Sequence, residues 1–328
     1  MLWIAVGIAV SALLLWWSAR GLRLGEVAAH VRGAPPGPVL LAVVAATLVF
    51  PLRMLRWQVL LRPGGGAVPT APAWHAIAIG YMANNVLGLR SGEVLRPYAL
   101  SRLTPIHWST AFASVAVERV FDAVTVVVTL LGALLFGSLP EDLRIGGLPA
   151  EALAWRVGLL GLGALAAALA LMVWTGPARA AITRMVPHQG IAERLLRILD
   201  GVRAGFVALR SPALLAAVAL WSGIVWGVNA LSFGLLLPAF GIEGSVSMML
   251  VLQAAIVFGV ALPSTPGYIG AFEAAIVLTL GLYGVPQDTA FAYAITYHVT
   301  TFIPITLLGF YSLARTPVRW RDARALRT

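Results

Sequence analysis

The chain has 328 residues, 60% of them hydrophobic and 11% charged, with a formal net charge of +10 and a mean hydropathy of +0.89. An ordinary globular domain is about 45–50% apolar and about 25% charged, so composition points to a polytopic membrane protein with no stretch polar enough for a soluble catalytic domain. All 23 basic residues are Arg, Cys is absent and the five His are scattered, which excludes disulfides, thiolate chemistry and Cys-based metal sites and leaves no basic run suited to nucleic acid.

Trp3, Trp16 and Trp17 bracket residues 2–17 like an interfacial belt, without the basic start of a signal peptide. They read as a retained first span, short at about 24 Å. Residues 20–33 carry Arg20, Arg23 and Arg32 and read as an amphipathic helix on the far surface. The run 38–52 is the next span, followed by a loop at 53–62 with Arg53, Arg56 and Arg62. Region 71–105 is apolar but broken at "NNVLGLRSGEVLR". A long run, 107–137, then leads to a loop at 138–151 with Glu141, Asp142 and Glu151 against Arg144. The run 152–175 is a span, and 176–211 carries six Arg. Within it, 190–210 reads as a basic amphipathic helix lying on anionic lipid. The run 212–238 is a span, and the loop 239–247 holds only Glu243. Region 246–285 is apolar but broken at "LPSTPGYIGAFE", 288–313 is the last span, and the tail 314–328 holds five Arg.

Arg placement predicts orientation. The segments 53–62, 176–211 and the tail hold fourteen Arg and read as cytoplasmic. The loops 138–151 and 239–247 read as outside. The cluster at Arg20, Arg23 and Arg32 runs against that rule. Parity then requires 71–105 to start and end inside and 246–285 to start and end outside. Each is a re-entrant hairpin or a pair of spans. A lipid-facing span through Arg90, Glu93, Arg96 and Arg102 would cost roughly 10 kcal/mol or more. Non-helical backbone at depth is tolerated only where protein or a water-filled cavity surrounds it.

The two broken regions echo each other. "TAFA" occurs at 110–113 and again at 289–292, each preceded by a glycine-rich turn and a glutamate: "SGE" at 91–93 and "GAFE" at 270–273. The intervening spans give the copies opposite orientations, the signature of an inverted-topology repeat.

The breaks carry the polar chemistry. In the first, Gly88 and Gly92 permit tight backbone geometry, and Ser91 suits the N-cap of a half-helix starting near Gly92. Glu93 falls in its first turn, where the dipole favours a carboxylate. Arg90 and Arg96 flank it, and Asn84 and Asn85 add amide groups. A guanidinium at depth suits a phosphate; the alternative is an Arg–Glu pair that fixes helix packing. In the second break, Pro263 and Pro266 end one helix and start another, with Thr265 as N-cap. Gly267 and Gly270 allow close approach, and the freed N–H groups make an anion site. Glu273 lies about two turns further in. The alternative is a packing kink. In "ERVFD", Glu118 and Asp122 share a helix face and need a cation, for which Arg90 or Arg96 is the expected source, beside Arg119. The alternative is a solvated collar at the interface. In the second copy Tyr297 and His298 take the places of Glu118 and Arg119, and His298 is either titratable or a packing residue.

"NNVLGLRSGEVLRPYALSR", "ASVAVERVFDAV" and "LPSTPGYIGAFEAAIVLTLGLYGVPQDTAFAYAITYH" together resemble the transmembrane region of lysylphosphatidylglycerol synthases and of stand-alone flippase-like membrane proteins. The family's Asn, Arg, Gly-Glu and Arg fall at Asn85, Arg90, Gly92–Glu93 and Arg96. Its Glu-Arg and Asp fall at Glu118–Arg119 and Asp122, and its Pro, Pro-Gly, Gly and Glu at Pro263, Pro266–Gly267, Gly270 and Glu273. Gly88 departs from the family, which usually has Pro there. The resemblance implies lipid handling between leaflets, without the aminoacyl-transferase domain and its lysine transfer.

The expectation is an all-α membrane protein, one domain over 1–328. It has about six full spans plus two re-entrant hairpins in inverted repeats over 1–137 and 152–313. It sits in a prokaryotic cytoplasmic membrane with both termini inside. The expected activity is that of a lipid transporter or flippase for a phosphate-bearing lipid, with no cofactor and no metal. The alternatives are a membrane enzyme using Glu93 or Asp122 as base on a lipid phosphate, or an accessory subunit. Expected partners are anionic lipids, and also a second copy or a lipid-modifying enzyme.

Overall fold

The computed structural model describes residues 2–88, 90–136, 211–261 and 265–319. Between these it describes 144–145, 148–149, 152, 155–156, 158–163, 166, 175–185, 190, 192–193 and 196. The expected acidic loop at 138–151, the span 152–175, the helix 190–210 and the end of the tail fall largely outside the described residues.

The described chain is helical apart from a two-residue antiparallel pairing of Arg144–Ile145 with Leu148–Pro149. The first helices are α1 (Leu2–Ala19), α2 (Leu24–Gly33), α3 (Pro36–Gly65), α4 (Thr70–Leu87), α5 (Gly92–Leu103) and α6 (Trp108–Phe136). They are followed by α7 (Thr175–Met185), α8 (Pro212–Leu236), α9 (Val246–Gly259), α10 (Ala271–Leu282) and α11 (Gln287–Ala314). Among the described residues three segments are long and apolar enough to cross a membrane: Pro36–Pro63, Pro212–Phe240 and Gln287–Ala314. A helix of 28 residues is about 42 Å long. On α3, Leu40, Leu41, Val44 and Leu48 are exposed along one stripe; on α11, Val299, Ile303, Leu307 and Phe310 form another. Such rows of exposed large apolar groups suit lipid as solvent, and the chain is an integral membrane protein.

The expected end of the second span at 52 is wrong. Helix α3 continues through Pro51 to Gly65, so 53–62 is not a loop. Arg53 and Arg56 are buried at 8% and 0% exposure. They stay in the helix because acidic partners on α6 meet them, which removes two Arg from the topology count.

The amphipathic helix expected after the first span is α2. Arg23, just before it, donates to Asp288 at the start of α11 through its backbone N–H at 3.0 Å and its side chain at 3.1 and 3.3 Å. Gln287 reaches back to the carbonyls of Ser18 and Arg20. The end of α1 and the start of α11 therefore lie at one end of the molecule.

Packing is reciprocal. Helices α3 and α8 pack against each other. Helix α4 packs on α5 and α9 on α10, yet α4 also packs on α11 and α9 on α6. Among the described residues three apolar clusters result, a small one of Val126, Leu130, Trp226 and Ala254 and two large ones. One gathers Trp57, Ile77, Met82, Leu95 and Leu100 from α3 to α5; the other gathers Phe233, Leu236, Leu252, Ile276 and Tyr293 from α8 to α11. Gly309 of α11 lies so close to Ala78 and Met82 of α4 that a Cβ there would overlap them. Small residues let membrane helices approach in this way.

Candidate functional site

The first break is a tight helical hairpin. Helix α4 ends at Leu87, and Gly88 (φ +65°) and Arg90 (φ +52°) turn the chain back before Gly92. A left-handed φ is costly for a residue with a side chain, so Arg90 is held there by its surroundings. Gly92 packs on the carbonyl of Gly80, and a Cβ at position 92 would overlap it. The expected cap at Ser91 is not present: Ser91 Oγ donates to the Ala83 carbonyl at 3.0 Å. Asn84 does the capping instead, its Oδ1 accepting from the Gly92 N–H at 2.7 Å. Asn85 donates to Thr306 Oγ1 on α11 at 2.8 Å.

Beside this hairpin lies a buried charge network. Arg96 donates twice to Glu118, at 3.0 and 2.9 Å, and its guanidinium lies 3.8 Å from the Trp57 ring centroid. Planar, paired contacts and aromatic stacking are what Arg does better than Lys. Arg119 Nη2 donates to Glu118 at 2.6 Å and lies 2.9 Å from Asp122. Arg56 donates to Asp122 at 2.7 Å and to Ser222 at 3.1 Å, and sits 3.3 Å from Glu118. Trp226 donates its indole N–H to Asp122 at 2.9 Å. Arg53 completes the group, 3.5 Å from Asp122 and 5.0 Å from the Trp226 ring.

The structure thus brings Arg96 to Glu118 and not to Glu93, one turn away on its own helix. Arg90 does not serve the α6 carboxylates; its nearest carboxylate is Glu93, at 3.8 Å. The cations that sequence reasoning missed are Arg53 and Arg56. The usable signal was the demand of Glu118 and Asp122, two carboxylates on one face, for more than one cation. Ser222, Trp226 and Trp57 gave no separate signal.

The second break differs from expectation. Pro263 lies outside the described residues. Pro266–Tyr268 is a single 3-10 turn interrupted at Gly267 (φ +74°), and Thr265 makes no side-chain cap. There is no helix N-terminus at Pro266–Gly267 and so no dipole-backed anion site. The Thr265 N–H donates instead to Ser11 Oγ of α1 at 2.8 Å. Tyr268 (φ +60°) and Gly270 (φ +90°) continue the turn, and α10 starts at Ala271. Glu273 is therefore in the first turn, not two turns in. Its carboxylate accepts from the Gly270 N–H at 2.6 Å and meets His298 Nδ1 at 2.5 Å. The helix end is capped by its own carboxylate.

The two breaks touch. A Cβ at Gly88 would lie 3.2 Å from Pro266, and one at Gly267 would lie 3.6 Å from the Asn85 carbonyl. Beside the junction is a narrow cleft of about 30 Å³, room for about one water molecule. Tyr81, Asn84, Glu93, Arg96 and Arg119 line it. A larger depression, about 600 Å³, lies at the other end of the hairpin among Val68, Pro69, Leu103, Thr104, Ile106 and His107. It holds no Arg, Asp or Glu.

The chain is 27% identical to the glycosyltransferase AglD of Haloferax volcanii, over 93% of this chain, and spans about half, 53%, of that protein's length. It is 23% identical to a UPF0104 membrane protein of Methanothermobacter thermautotrophicus, over 87% of each chain. It is 22% identical to a UPF0104 membrane protein of Pyrococcus horikoshii, over 93% of this chain and 94% of that one. No solved structure matches it. The lysylphosphatidylglycerol synthase TM region family matches residues 4–309, nearly the whole chain, and the protein is a member of that family.

Proposed function

We propose that the protein is a lipid transporter or flippase that carries a phosphate-bearing headgroup past the junction of its two breaks. One observation carries this reading: an Arg-rich cluster, largely buried, sits inside an apolar helical body beside the first of two breaks that touch each other. Buried ionisable groups in membrane segments mark substrate paths by default. Broken helices at an internal repeat interface are a recurrent transporter site.

The same reading takes α4–α5 and α9–α10 as re-entrant hairpins, entering from opposite faces, within two inverted halves. Reciprocal packing supports it, and so do equivalent side-chain pairs. Glu93 with Arg119 in the first half corresponds to Glu273 with His298 in the second. Arg56 with Glu118 corresponds to Ser232 with Tyr297, 2.6 Å apart. The halves would be 36–136 and 212–314, narrower than the repeats first expected, in a cytoplasmic membrane with both termini inside.

An enzymatic role is less well supported. Of its two candidate bases, Asp122 is tied by Arg56 and Trp226, whereas Glu93 lies 3.8 Å from Arg90 and 4.0 Å from Arg119 and stays the candidate of that reading. The match to half of a glycosyltransferase supports a second reading, a lipid-handling unit that works beside a lipid-modifying enzyme. Fluorescent-lipid flipping in proteoliposomes tests the first. Transport by the wild-type chain that is lost in Arg119→Ala, with folding intact, supports it. Absence of transport for phospholipids and polyprenyl phosphates alike would overturn it.

A further inference from the structure

Glu93 is held differently from the other carboxylates near it. Its Oε1 lies 3.8 Å from Arg90 Nη1 and 4.0 Å from Arg119 Nη1. Charge-assisted hydrogen bonds are about 2.7–2.9 Å long, so Glu93 sits between two guanidinium groups and is bonded to neither. Its side chain is 30% exposed. Arg119 Nε is buried with no acceptor. Tyr268, from the second break, lies within electrostatic reach of Arg90, Glu93 and Arg119.

Charge counting points the same way. The connected group holds five guanidinium groups, on Arg53, Arg56, Arg90, Arg96 and Arg119, against three carboxylates, on Glu93, Glu118 and Asp122. The surplus is two positive charges among the described residues. Arg90 and Arg119 are 46% and 35% exposed on their side chains, so the surplus lies on the open side of the group, where an anion can reach it. A phosphodiester carries one negative charge, whereas a phosphate monoester carries about 1.5 to 2 near neutral pH.

We infer that Arg90 and Arg119 bind a doubly charged phosphate, a monoester or diphosphate, in the place that Glu93 holds in this structure. Glu93 is a stand-in anion: it screens the two guanidinium groups when the site is empty and turns out to water when the phosphate arrives. The narrow cleft follows from this, because the carboxylate fills the space that the ligand takes. The inference rests on the first break being the headgroup site and deepens it by naming the headgroup. Zwitterionic and singly charged lipids leave the surplus uncompensated, and bind less well.

The test uses the full chain in phosphatidylcholine nanodiscs. Phosphatidic acid or phosphatidylglycerol is added, and retained lipid is counted by native mass spectrometry. Phosphatidic acid is expected to be retained about tenfold over phosphatidylglycerol, a difference of about 1.4 kcal/mol. Glu93→Gln is expected to raise its retention several-fold, and Arg90→Gln to lower it several-fold. Arg90 is 46% exposed on its side chain, so its replacement leaves the fold intact. Inorganic pyrophosphate added to the detergent-solubilised chain separates the sources. Pyrophosphate that competes with phosphatidic acid supports the headgroup site. Pyrophosphate that binds while phosphatidic acid does not keeps the phosphate site but overturns the lipid reading. Equal retention of both lipids, unchanged in Glu93→Gln, overturns the inference and leaves the transport reading to its own assay.

Discussion

Arg96 and Glu118 meet head-on through two hydrogen bonds, 3.0 and 2.9 Å long, across 22 positions of sequence. Their side chains are 5% and 0% exposed. This pair joins the hairpin α4–α5 to the long helix α6. Removing Arg96 leaves Glu118 with Arg119 and Arg56, so what is lost is the paired contact and not the neutralisation of the carboxylate. Arg96→Ala is expected to cost about 1.5–3 kcal/mol of stability, the range for hydrogen bonds to charged groups. Arg96→Lys is expected to recover only part of it, because Lys has neither the fork nor the stacking on Trp57. Thermal unfolding of the detergent-solubilised variants measures both. A Lys variant as stable as the wild type would show that paired geometry is unimportant here.

Gly92 and Gly80 fix the spacing of the hairpin. Gly92→Ala is expected to force α5 away from α4, at a cost of about 1–3 kcal/mol. Its effect should exceed that of Gly281→Ala, where an added Cβ meets nothing. Equal melting temperatures for the two variants would contradict the close packing.

Glu273 holds the second turn from two sides, through Gly270 and through His298. Glu273→Gln keeps the size of the side chain and loses the charge. It is expected to destabilise by about 1.5–3 kcal/mol, the range for hydrogen bonds to charged groups. His298→Phe keeps the ring contacts with Phe272 and Phe302 and should lose less, because the Gly270 bond survives. The reverse order of stabilities would place the main restraint at His298.

The absence of Cys makes single-Cys topology mapping clean. Leu24 and Val246 are 72% and 71% exposed, and His107 is exposed too. Under the inverted-half reading, Leu24→Cys and Val246→Cys label with a membrane-impermeant maleimide from one face and His107→Cys from the other. Labelling of Val246→Cys and His107→Cys from the same face would rule that reading out.

Much of the site was legible because polarity stands out in an apolar sequence. Two glycine-rich breaks and "ERVFD" are conspicuous among aliphatic residues. Arg53 and Arg56 were not legible as interior groups. They follow an apolar run, and that is also how the positive end of a span looks. What distinguishes the two cases is Asp122, 66 positions beyond Arg56, and nothing local announces it. The cap at Gly92 was misassigned for a related reason. Ser91 is adjacent in sequence, but helix α4 lies alongside the turn and brings Asn84 within reach. In "TPGYIGAFE" the proline suggested a helix start; the left-handed backbone at Gly267, Tyr268 and Gly270 delays the helix until Ala271.

The reciprocal packing of the helices has a consequence for how the chain is made. Helix α4 rests on α11, and Asn85 bonds to Thr306 there. The ribosome reaches α11 roughly two hundred residues after finishing α4. At about 5–20 residues per second, that delay is roughly ten to forty seconds. For most of it the first hairpin has its α6 carboxylates but lacks the wall that closes over Asn85. The nascent chain therefore needs the insertion machinery to shelter a polar hairpin until its last helix arrives.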